Sequence, residues 1–165
     1  MERLQKKFAL WILLFNLFLN FLGISLVIPV MPTIMNELQI SGQIIGYLVA
    51  TFSFVQLIVS PIAGRLTDQF GRKWMIVLGL LVFSISQFLF GIGQRVEVLF
   101  ISRIFGGLSA AFTVPAINAF IADITDLKTR PKAFGYMAAA INTGFIIGPG
   151  IGGFVAMFGH RVPFF

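Results

Sequence analysis

The chain has 165 residues, 58% of them hydrophobic and only 11% charged, which is too few charges to clothe the surface of a water-soluble domain. Its formal net charge of +6 is divided among short clusters between apolar runs instead of forming a stripe or patch, which argues against nucleic-acid binding. With no cysteine and one histidine, disulfides, thiolate metal sites and cysteine nucleophiles are excluded, and no metal centre is expected.

Five apolar runs are long enough to cross a hydrocarbon core about 30 Å thick at a rise of about 1.5 Å per residue. In lipid each backbone polar group needs a partner, and the runs lack the alternation of a barrel strand, so they are read as helices. The predicted spans are 8–35, 44–64, 74–93, 98–122 and 133–158, giving an all-α, multi-pass membrane protein. The first run follows Arg3, Lys6 and Lys7, as the core of a signal peptide would. Its apolar stretch over 8–30 is too long for that role and no small-residue cleavage site follows, so it is expected to stay as the first membrane helix.

Cations alternate between the two ends of these helices. Arg3, Lys6 and Lys7, then Arg65, Arg72 and Lys73, then Lys128, Arg130 and Lys132 fall at one end, while the other end holds Arg95 and Arg161. Basic loops remain in the cytoplasm, so the N-terminus is expected inside. The chain reaches Val162, Pro163, Phe164 and Phe165 where a sixth apolar run would begin. Residues 1–165 are therefore expected to form one N-terminal bundle whose sixth helix is cut off and whose C-terminal half is missing.

Between helices 2 and 3 the sequence runs from Gly64 through Asp68, Gly71, Arg72 and Lys73. The glycines allow a tight reversal there, and Asp68 can pair with Arg72. Helix 1 carries Leu22, Gly23, Pro29, Val30 and Pro32. Helix 4 carries Arg103 about one turn inside the membrane, followed by Gly106, Gly107, Ala110 and Ala111. Helix 5 carries Gly135, Gly144, Gly148, Pro149, Gly150, Gly152 and Gly153. Gly144, Gly148 and Gly152 recur every fourth residue, so they share a face that admits a close backbone, and Pro149 is expected to bend the helix.

Together these stretches resemble the Major Facilitator Superfamily. The segment from Gly64 to Lys73 is similar to its signature loop, with Thr67 and Gln69 as departures, and the helix 5 string is similar to the motif of its drug:proton antiporters. Helices 1 and 4 resemble the twelve-helix drug exporters, of the Gram-positive quinolone and multidrug pump type, although Gly106 and Ser109 depart from the helix 4 pattern. The resemblance implies a bacterial exporter of amphipathic drugs that needs no cofactor, is driven by a proton gradient, and works by alternating access. It implies a latch at the cytoplasmic face, with Asp123 as a partner of Arg72. It also implies a central cavity walled by helices 1, 2, 4 and 5, with Phe21, Ile24, Ile28, Gln56, Arg103, Asn142 and Phe145 as the expected lining.

All six acids, Glu2, Glu37, Asp68, Glu97, Asp123 and Asp126, fall in termini, loops or helix ends. None sits at mid-membrane, where a transported proton would bind, so this chain alone is expected to be inactive. The Gly144, Gly148 and Gly152 face is expected to need a helix that the chain lacks. A narrow-specificity antiporter for a tetracycline-like compound or metabolite, and a non-transporting membrane subunit, stay open as alternatives. An enzyme does not, because no nucleophile, metal cluster or phosphate loop is present.

Overall fold

The computed structural model describes residues 2–157, Gly159 and Phe164, with side chains from Leu4 onward. The described residues form five helices: α1 (Glu2–Leu38), α2 (Gly42–Phe70), α3 (Arg72–Ile92), α4 (Val96–Ile124) and α5 (Arg130–Ala156). Each is long and apolar enough to cross a membrane. The predicted end of the fifth helix at Phe158, the side chains of Arg3 and Arg161, and most of the start of the sixth apolar run lie outside the described residues.

The helices run beyond the predicted spans at most ends, because backbone hydrogen bonding continues through the polar turns that flank an apolar run. α1 starts six residues early, at Glu2, and a difference of the same size falls at Gly64. The reversal expected there does not occur; α2 continues six residues further to Phe70, and the chain turns at Gly71 alone, with φ +89°. An L side chain rarely adopts that φ, so a glycine is required at this joint. Its N–H donates to Thr67 O at 3.0 Å and closes the last turn of α2. Pro149 sits inside α5, which remains helical on both sides of it.

Packing divides the bundle into two groups. α1 lies along α5, while α4 lies between α2 and α3. Glycines set the spacing in the first group. A Cβ at Gly144 would fall 2.8 Å from Phe18 O, one at Gly148 would collide with Ser25 Oγ, and one at Gly152 would fall 3.0 Å from Leu26 O. The face expected to wait for an absent helix is therefore already covered by α1. Ser25 Oγ reaches both Gly144 O, at 3.0 Å, and Leu22 O, at 2.9 Å, so its one proton serves either carbonyl.

Small residues also admit α4 to the second group. Gly107 faces Phe52 O of α2, and Gly79 of α3 faces Thr113 of α4. Ser86 Oγ donates to Ser102 O at 2.8 Å, Ser102 Oγ returns a bond to Ser86 O at 3.0 Å, and Ser109 Oγ donates to Gly79 O at 2.8 Å. Between lipid-solvated helices, close packing and such bonds replace the hydrophobic drive that acts in water. Gln87 Nε2 ties the groups together by donating to Gly23 O at 3.0 Å.

Two apolar clusters fill the ends of the bundle. One joins Leu13, Leu14 and Leu17 to Met75, Ile76, Ile117, Ile121 and Met137 at the end that holds the basic loops. The other joins Val27, Val30, Met31 and Ile34 to Leu48, Phe90, Leu99 and Phe164 at the opposite end.

Candidate functional site

At the basic end Gly71 places α3 so that its first residue, Arg72, reaches two other segments. Arg72 Nη2 lies 3.3 Å from Asp68 Oδ1, and Arg72 Nε lies 2.9 Å from Asp123 Oδ2. The Nε–H is not aimed at that oxygen, so the second contact is an ion pair without a formed hydrogen bond. Both carboxylates are well exposed, at 73% and 52%. Ion pairs of that kind are worth about 0–1 kcal/mol each, so the cluster adds little net stability. Lys73, the next residue, lies with its Nζ 6.0 Å from the Trp74 ring centroid and outside the cluster. Gly64, one helical turn before Asp68, has open space where a Cβ would be.

Arg130, expected only as a loop cation, serves a structural purpose. Its Nη2 donates to Ala122 O at 2.9 Å and to Thr125 O at 3.3 Å, satisfying carbonyls at the C-terminal end of α4. It thereby fixes the turn that carries Asp123.

Toward the middle of the bundle the residues expected to line a cavity separate into two sets. Phe21 of α1 and Phe145 of α5 meet, with ring centroids 5.2 Å apart and planes tilted by 57°. Ile24 is half-buried, Ile28 is exposed on α1, and Asn142 is exposed one turn before Phe145 on α5. Gln56 is half-buried on α2, where its carbonyl accepts the Ser60 hydroxyl at 2.6 Å. Phe21 and Phe145 thus join α1 and α5 through an aromatic contact, with Asn142 exposed one turn away, while Gln56 stands on α2.

Arg103 takes no part in the Phe21 and Phe145 contact. Its side chain is only 6% exposed and turns into the α3–α4 packing, where the guanidinium carbon lies 4.5 Å from the centroid of the Phe90 ring. The electron-rich ring face offsets part of the cost of a cation within the membrane, and Nε has no hydrogen-bond partner. Arg103, expected at the cavity, packs here against α3. α4 is apolar around its whole circumference, so its sequence offered no periodicity to say which way Arg103 points.

The other face of α5 is bare. A Cβ at Gly135, Gly150 or Gly153 would meet nothing within 4 Å, and Ile146 between them is 77% exposed. The helix 5 motif thus splits: Gly144, Gly148 and Gly152 are spent on α1, and Gly135, Gly150 and Gly153 look outward. Ser25 and Phe52, which receive the glycines of α5 and α4, were not singled out from the sequence. Nor was a groove of about 930 Å³ at the basic end, between Lys6, Trp11, Lys132 and Tyr136. An aromatic residue one turn from a lysine at a membrane boundary is a signal that could have pointed to it.

The sequence profile of the Major Facilitator Superfamily matches residues 13–165. The chain belongs to that superfamily. Within it, multidrug resistance protein 1 of Bacillus subtilis is 69% identical over 98% of this chain and 41% of its own length. Multidrug resistance protein 2 of the same organism is 59% identical over 98% of this chain and 40% of its own. The quinolone resistance protein NorA of Staphylococcus aureus is 49% identical over 94% of this chain and 40% of its own. The chain thus spans about two fifths of the length of these relatives. Among solved structures, a bacterial homolog of the human lysosomal transporter Spinster, in an inward-facing and occupied conformation, superposes with a TM-score of 0.80. That match covers 92% of this chain and 33% of the Spinster homolog, at 23% identity, and it speaks for the fold. This superfamily member is a multi-pass protein of the cell membrane, and its relatives are bacterial transporters, not enzymes.

Proposed function

We propose that the chain is the N-terminal bundle of an exporter of amphipathic drugs, driven by the proton gradient and working by alternating access with a C-terminal half that follows it. The observation that carries this reading is the 69% identity to a multidrug resistance protein across 98% of the chain, which includes the whole glycine string of α5. The basic end is placed in the cytoplasm, where Lys and Arg accumulate beside membrane helices. The exposed Asp68, Arg72 and Asp123 cluster, with Gly64, Gly71 and Lys73 around it, serves as a latch that opens as the halves rock. The bare face of α5, marked by Gly135, Gly150 and Gly153, offers the second half a close approach.

Drug would bind at the Phe21 and Phe145 pair, with Ile24, Ile28, Gln56 and Asn142 around it. Among the described residues no acid lies in the middle of a span; Glu37 and Glu97 sit at one end and Asp68, Asp123 and Asp126 at the other. The proton-binding acid is therefore assigned to the C-terminal half, which makes the present chain inactive by itself. Ethidium efflux is the test, measured on cells expressing this chain and on cells expressing the full-length reading frame, with and without collapse of the proton gradient. Gradient-dependent efflux by the longer form alone is expected. Efflux by the 165 residues alone would refute the placement of the acid, and efflux by neither would favour a narrow-specificity carrier.

A further inference from the structure

The groove at the basic end combines two features that neither a latch nor a drug cavity requires. Lys6 and Lys7 of α1 and Lys132 of α5 converge on it, and its inner wall is apolar and aromatic, with Trp11 and Tyr136 stacked at 6.1 Å. Lys132 Nζ lies 5.8 Å from the Tyr136 ring centroid, so charge and ring belong to one surface. The acids at its edge are engaged. Asp123 pairs with Arg72, and Asp126 Oδ1 accepts the Thr129 N–H at 2.8 Å and the Thr129 hydroxyl at 2.6 Å.

We propose that this groove binds the headgroup of an anionic phospholipid of the inner leaflet, with the phosphate between Lys7 and Lys132 and the glycerol and upper acyl chain against Trp11 and Tyr136. The inner-leaflet assignment rests on the cytoplasmic placement of the basic end proposed above; the binding itself does not. Basic pockets between helices at this level attract anionic lipid, and aromatic side chains hold the headgroup depth. A soluble anion would have no use for the apolar wall, and for a cationic amphiphile the three lysines outnumber the two carboxylates, Asp123 and Asp126, that also line the groove. Sharing Asp123 with the Arg72 cluster, an occupied groove would also sit beside the element that moves.

The chain has two tryptophans, so a W74F version leaves Trp11 as the only reporter. In nanodiscs, whose two faces are alike, brominated phosphatidylglycerol is expected to quench Trp11 well beyond brominated phosphatidylcholine at equal mole fraction. K7Q and K132Q are each expected to lower that preference about three- to fivefold, whereas K128Q, in the same loop region but off the groove, leaves it. Equal quenching by the two lipids, or a loss with K128Q as large as with K132Q, would overturn the site in favour of diffuse attraction. Removal of the preference by millimolar glycerol phosphate would overturn the lipid in favour of a free anion. Should the K7Q/K132Q double variant lose helicity, the exposed K132Q change carries the reading alone. Failure here leaves the orientation of the bundle untouched, because the discs do not sense it.

Discussion

At Gly148 and Gly150, two residues apart on α5, an added methyl group has opposite consequences. At Gly148 it would meet Ser25 Oγ and lie 2.9 Å from Leu22 O, while at Gly150 it would meet nothing within 4 Å. Gly148→Ala is therefore expected to destabilise the α1–α5 pair by about 1–3 kcal/mol, as overpacking does. Gly150→Ala should instead be neutral or stabilising, by up to about 1 kcal/mol, since alanine favours the helix and nothing opposes its methyl group. Unfolding in mixed micelles would compare them, and similar losses at both sites would contradict the assigned faces. The four-residue spacing revealed a stripe, but not its partner, because Ser25 and Leu22 lie more than a hundred residues earlier in an apolar run with no distinguishing pattern. Arg103 shows a similar limit: its presence in the span is plain from sequence, its direction is not. The contact with Phe90 gives a second prediction. In a double-mutant cycle, Arg103→Met and Phe90→Leu should show a coupling of about 0.5–2 kcal/mol, the range for a desolvated cation over a ring. A coupling indistinguishable from zero would mean that the ring is only a neighbour.

Between elements, α3 and α4 are joined by the reciprocal Ser86 and Ser102 bonds, each hydroxyl donating to the other residue's carbonyl. Interhelical bonds of this type average about 0.6 kcal/mol and reach about 1.7. Ser86→Ala and Ser102→Ala are each expected to cost an amount in that range, read from unfolding of each single variant; a loss of several kcal/mol would show that the serines do more than bridge. The helices themselves were legible because a run of apolar residues long enough to span lipid has one stable backbone solution. Their ends were not, because the polar turns past the apolar boundary keep their hydrogen bonds, as α2 does from Gly64 to Phe70. The signature loop was thus legible as a motif and misplaced as a loop: only Gly71 in it breaks the helix. The Asp68–Arg72 pair was legible from its local spacing, whereas the Asp123 contact was legible only through the resemblance, since no local pattern brings α4 to the start of α3.

For the whole molecule, the distribution of cations is the feature that orients it. Lys6, Lys7, Arg65, Arg72, Lys73, Lys128, Arg130 and Lys132 gather at one end, and Arg95 stands at the other. With no native cysteine to interfere, a cysteine placed at Ser41 should react with a membrane-impermeant maleimide on intact cells. One placed at Leu127, which is 81% exposed, should react only after permeabilisation. The reverse pattern would invert the bundle and the leaflet of the proposed lipid. The division into α1 with α5, and α4 with α2 and α3, bears on how the protein is made. The Ser25 to Gly144 bond spans 119 residues, so at about 5–20 residues per second α1 is synthesised roughly 6–24 s before the surface that covers it. Through that interval Ser25 lacks its α5 partner, while the rest of α1 gains neighbours as α3 and α4 follow, through Leu13, Leu17 and the Gln87 bond, so α5 closes onto a face of α1 that the other helices have already oriented.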